Sequence, residues 1–75
     1  MELPETVKIR DETIRLGQLL KLADFIDHGS EAKELLMQGD VLVNGEVETR
    51  RGRQLVSGDS VSVGGRTVGI LSRGH

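Results

Sequence analysis

No cysteine, tryptophan or tyrosine occurs in this chain, and phenylalanine and proline occur once each, as Phe25 and Pro4. Without cysteine, disulfides are excluded and a thiolate metal site is impossible, which suits a reducing cytosol. With a single aromatic, aliphatic side chains must do nearly all the packing. At 75 residues the chain lies near the size where one core only just outweighs chain entropy. No apolar run approaches the ~18 residues of a membrane span, and the opening MELPETVKIR carries no apolar signal segment. The expectation is one soluble cytoplasmic domain over residues 1–75, not associated with a membrane.

Catalytic and metal constellations are missing too. His28 and His75 lie far apart without a cysteine partner, so they form no recognisable metal site. One internal histidine cannot support a Ser-His-Asp set. The glycines at 39, 45, 52, 58, 64 and 65 mark turns and do not form a GxxxxGK[ST] phosphate loop. No enzyme activity, metal or cofactor is expected.

Charge is scarce in sum but not in distribution. Ten Lys+Arg against twelve Asp+Glu give a formal charge of −2, which alone argues against a nucleic-acid binder. Glu2, Glu5, Asp11 and Glu12 make the N-terminus acidic, whereas Arg50, Arg51 and Arg53 sit together without an acid between them. Charges beyond about 8 Å are largely screened at physiological salt, so such a patch can attract phosphate on its own terms.

Taken in order, Thr6–Arg10 alternates polar and apolar residues as a half-buried strand does, with Pro4 at its lead-in and Asp11-Glu12 ending it. A helix is predicted from about Leu16, burying Leu16, Leu19, Leu20, Ala23 and Ile26 or Phe25, with Thr13 as its N-cap. Asp27-His28-Gly29-Ser30 forms the turn to a second helix, capped by Asp27 or Ser30, with Glu31 in its first turn favouring the helix dipole. Ala32, Leu35, Leu36 and Gly39 line one face of that helix, and Gly39 can end it in the left-handed region. Val41–Val43 and Glu46–Thr49 flank Asn44-Gly45, the strongest short hairpin signal a sequence can carry. Leu55-Val56 is a short apolar run, Ser57-Gly58-Asp59 marks a turn, and Ser60–Val63 alternates as a strand does. Gly64-Gly65 reverses the chain into Arg66–Ile70, and Leu71–His75 is predicted to fray. The fold class is α+β: two packed helices against a small, mostly antiparallel sheet.

Ala32-Lys33-Glu34-Leu35-Leu36, then Gly39, Val41, Val43-Asn44-Gly45 and Gly58-Asp59 together resemble the S4 RNA-binding domain. The run Glu48-Thr49-Arg50-Arg51-Gly52-Arg53 after the hairpin is similar to that of the small free-standing bacterial S4-like proteins. The likeness covers about residues 14–63 and implies the same α+β arrangement. One position departs from it: many S4 domains begin the second helix with Ser-Arg, and His28-Gly29 stands there instead, removing one RNA-contacting arginine.

On composition alone, Arg50, Arg51 and Arg53 form a solvated loop or pair with Glu46 and Glu48. With the resemblance, phosphate binding becomes the expectation, since guanidinium matches phosphate oxygens at two points. Lys33 projects about 100° from Ala32 around its helix, towards the edge of the buried stripe. Lys21 lies at the corresponding edge of the first helix. Arg15 matches an arginine often found at the head of that helix in S4 domains, though Asp11 and Glu12 are nearby. The candidate RNA-binding set is therefore Arg15, Lys21, Lys33, Arg50, Arg51 and Arg53. Single-stranded RNA is commonly held by stacking on aromatic rings, and Phe25 is assigned to the core. Binding is thus expected to use phosphate, shape and 2′-hydroxyl contacts on structured RNA, ribosomal or transfer RNA, by a monomer. The alternative is a protein-interaction adaptor of the same fold that no longer binds RNA.

Overall fold

A computed structural model describes residues 5–72; Glu2, Pro4 and His75, to which the sequence assigned roles, lie outside the described residues. The chain runs β1 (Glu5–Ile9), β2 (Thr13–Arg15), α1 (Leu16–Leu22), α2 (Glu31–Met37), β3 (Val41–Val43), β4 (Glu46–Val47), β5 (Gln54–Val56), β6 (Ser60–Val63) and β7 (Arg66–Ser72). The larger sheet has the order β1-β7-β6-β3-β4, and β2 pairs with β5 in a separate two-stranded ribbon. All these pairings are antiparallel except β1 with β7. This is the α+β architecture expected, with the helices in one connected stretch between strands.

Period-two alternation puts β-branched residues on the sheet's inner face. Val43 faces Val61 and Val61 faces Val68 across three adjacent strands, and all three are buried. Leu16, Leu19 and Leu20 of α1 and Ala32 and Leu36 of α2 close over them, joined by Leu55 of β5. The predicted hairpin forms with Asn44 at φ 53° and Gly45 at φ 85°, both left-handed as a two-residue turn of this type requires. Asn44 is further fixed by its side chain, which donates to Asp59 Oδ1 at 3.1 Å and accepts from Ser60 N at 2.9 Å. Gly39 ends α2 at φ 77°, also as predicted.

Four local expectations are corrected. Thr13 does not cap α1, because it is already paired in β2 with Val56; Arg15 occupies the cap position, and its N–H donates to Gln18 Oε1 at 3.4 Å. Neither Asp27 nor Ser30 caps α2 through its side chain. Instead the Glu31 carboxylate reaches back to the Asp27 and His28 N–H groups at 2.8 and 3.4 Å. These backbone bonds hold its pKa below the ordinary glutamate value. The predicted fraying does not begin at Leu71, since β7 continues through Ser72, held in register opposite Ile9 of β1. Ser72 is buried, and its hydroxyl donates to the Asp11 carbonyl at 3.1 Å. Phe25 lies beyond α1 rather than on its face: it is half-buried against the core, with the Arg66 guanidinium 4.7 Å from its ring centroid. Arg66 in turn pairs with Glu5 at 2.6 Å. That cation lies over one face of the ring.

Candidate nucleic-acid interface

The arginine loop does not hang free. Leu16 N donates to Arg53 O at 2.8 Å and Gly17 N to Arg51 O at 3.0 Å. Two of the amide groups that a helix start leaves without partners are therefore satisfied by loop carbonyls, and the loop lies across the first turn of α1. The adjoining ribbon continues this contact, with Arg15 paired to Gln54. Residues far apart in sequence are thereby placed around one open cleft of about 420 Å³, whose lining includes Arg15, Gln18, Lys21, Gly29 and Arg51.

Three of the six predicted cations thus meet. Arg15, Gln18 and Lys21 recur every third residue, a spacing that keeps them on one side of α1, and Arg51 faces them from the loop. Among the described residues none of the three cations has an ion-pair partner, and no carboxylate lines the cleft. Such a surface favours an anion. A neighbouring cleft of about 550 Å³ shares Gln18 and Lys21 but is walled by Ile9, Ile14 and Leu22 and carries the Asp11 carboxylate, so it lacks that cationic character.

Arg50 and Arg53 are engaged elsewhere. β4 stops at Val47, earlier than the predicted run to Thr49, and Glu48 turns inward, its N–H donating to Val41 O at 2.9 Å. Its carboxylate, in a residue only 7% exposed, accepts from Arg50 Nε at 3.2 Å, Arg50 Nη2 at 3.0 Å and Arg53 Nη1 at 3.0 Å. It also accepts from the Thr49 and Arg50 N–H groups at 3.0 and 3.1 Å. The hydrogen bonds from Arg50, side chain first and then backbone, with Arg53 adding to them, hold the Glu48 carboxyl down at about 2. Burial opposes this and is outweighed. The ion-pair alternative weighed for this loop therefore holds for Arg50 and Arg53 but not for Arg51. Arg50 still exposes 74% of its side chain, whereas Arg53 exposes 31%. Lys33 is exposed on α2 and does not line the cleft.

Two further residues of the cleft carry no charge that would single them out in the sequence. Gln18 fills the gap between Arg15 and Lys21, and its spacing from them could have revealed it. Gly17 sits inside a helix, where a glycine with no turn to make is a signal of close approach. His28 is exposed, as expected of a loop histidine, and Gly29 lines the cleft at the place where the resemblance lacks its arginine.

The sequence profile of the S4 domain matches residues 7–71. The chain belongs to the S4 domain family. Among relatives, RlbA of Bacillus subtilis, named as a candidate ribosome maturation protein, is 51% identical over 59 residues, covering 79% of this chain and 83% of that one. YbcJ of Escherichia coli, named as a candidate RNA-binding protein, is 37% identical over 59 residues, covering 79% and 84%. The solution structure of Escherichia coli YbcJ, described as revealing an αL motif involved in RNA binding, matches this S4 domain with a TM-score of 0.69 at 33% identity. That match covers 95% of this chain and 91% of YbcJ.

Proposed function

We propose that this S4-domain chain is a non-catalytic cytoplasmic protein that binds structured RNA as a monomer, with ribosomal RNA its first candidate and transfer RNA its second. One observation carries the reading: Arg15, Lys21 and Arg51, drawn from separate parts of the sequence, line one cleft to which no described residue contributes a carboxylate. Guanidinium and ammonium groups at such a cleft suit phosphate oxygens, and phosphate contacts dominate affinity for nucleic acid. Arg50, whose side chain stays largely exposed despite its pairing with Glu48, Arg53 and Lys33 are proposed to add peripheral contacts along the RNA backbone. The names of the relatives support the choice of RNA, and that of RlbA supports the ribosomal kind.

The test is a titration with folded ribosomal RNA fragments over a range of salt. Three to five neutralised phosphates give a slope of log K against log salt of roughly −2 to −4. Replacing Arg15, Lys21 and Arg51 together by alanine is expected to remove most of that slope while the protein stays folded, since all three are exposed. A flat salt response from the parent, or no binding to folded RNA at low salt, would sink the reading and favour a protein-binding adaptor.

A further inference from the structure

Gly17 lies in the first turn of α1, where helix propensity favours alanine over glycine. Its conformation does not call for glycine, because it is not among the residues with positive φ. Space does. A Cβ built on Gly17 would lie 2.6 Å from Arg51 Cγ and 3.3 Å from Arg51 Cδ, far inside normal contact, yet at an ordinary 3.5 Å from Arg51 O. The obstacle is therefore the stem of the Arg51 side chain, not the loop backbone. Gly29 and Gly52 line the same cleft, and a Cβ on either would meet nothing within 4 Å.

We propose that Gly17 is a positioning residue for Arg51: its missing side chain leaves the channel in which the arginine stem crosses α1 to stand beside Arg15 and Lys21. The Arg51 backbone is tied down by the bond from Gly17 N to Arg51 O. Cγ is the second carbon of the side chain, so it can yield to a new methyl group only by rotation about Cα–Cβ. That rotation swings everything beyond it, the guanidinium included, to a different staggered position. A single methyl group at residue 17 thus removes a cation from the cleft without changing any charge.

This inference rests on the phosphate-binding reading, and a double-mutant cycle separates the two. Gly17→Ala, Arg51→Ala and the double variant are compared by urea unfolding and by affinity for a folded ribosomal RNA fragment. Both single variants are expected to weaken binding about five- to tenfold and to lower the salt slope by about one. The double variant should bind no more weakly than either, because Gly17 acts only through Arg51. Gly17→Ala should be at least as stable in the Arg51→Ala background as Arg51→Ala alone, since the obstructing stem is gone. Independent, multiplying losses in the cycle would overturn the inference, as would a Gly17→Ala protein that binds like the parent while Arg51→Ala does not. If Arg51→Ala itself binds like the parent, the cleft assignment fails and the inference with it. Destabilisation by Gly17→Ala in both backgrounds would show a purely structural glycine and also overturn it.

Discussion

Replacing Glu48 by glutamine tests how the basic loop is held. Glutamine keeps the shape of the side chain and an oxygen that can still accept from the Thr49 and Arg50 N–H groups. It removes the charge that draws Arg50 and Arg53 inward. An ordinary glutamate titrates at 4.5, whereas Glu48 is held at about 2, which corresponds to roughly 3 kcal/mol of preference for the ionised form. That figure is an upper limit on stability. Arg50 exposes 74% of its side chain, so solvent screens the larger of the two pairings, and about 1–2 kcal/mol is the expected cost of Glu48→Gln at neutral pH. For a domain of this size that lowers the thermal midpoint by about 5–15 °C.

The pH dependence distinguishes this cause from a packing defect. A carboxylate whose folded pKa is depressed stabilises fully above its unfolded value near 4.5, and the contribution is lost as pH falls through about 2. The parent should therefore exceed Glu48→Gln in urea-derived stability at pH 6–7, and the gap should close as the pH approaches 2. Glu31 also loses its depressed ionisation in acid, but it does so in both proteins and cancels in the comparison. A gap that is absent at pH 7, or that persists unchanged at pH 2–3, would refute the reasoning.

Gly45→Val places a β-branched residue at φ 85° and is expected to cost about 1–3 kcal/mol in urea unfolding. Leu36→Ala, at a fully buried site on α2, should cost about 2–5 kcal/mol. The same change at half-buried Leu35 should cost distinctly less, so equal losses would count against the observed packing. Gly29→Arg restores an arginine where the cleft has open space. It should tighten binding to folded RNA and steepen the salt slope by about 0.7–0.9, with unchanged affinity as the contrary result.

Most of the fold was legible because its signals are local. The Asn44-Gly45 turn, the left-handed Gly39 and the apolar spacing of Leu16, Leu19 and Leu20 each follow from a few neighbouring residues. What the sequence misplaced depends on partners distant in the chain. Thr13 looks like a cap only until Val56 is known to lie opposite it. Leu71 and Ser72 look like a tail until β1 is known to hold them, some sixty residues away. Phe25 counts as core by its place on the apolar side of the predicted helix, but one face of its ring is covered by Arg66, which Glu5 holds in turn.

The candidate site divides in the same way. Charge density singled out Arg50, Arg51 and Arg53 as equivalent, because nothing in a run of arginines says which guanidinium is already satisfied. Their roles separate only through a residue on each side of the loop. Glu48, buried where β4 ends, accepts from Arg50 and Arg53 and leaves Arg51 out. Gly17, on α1, gives Arg51 the space the other two do not use. The clasp between the first turn of α1 and the loop, two backbone bonds of 2.8 and 3.0 Å, holds Arg51 against Gly17. A basic cluster on a loop thus becomes a directed cleft through an acid and a glycine, neither of which carries positive charge. Counting lysines and arginines could locate the patch but could not rank its members.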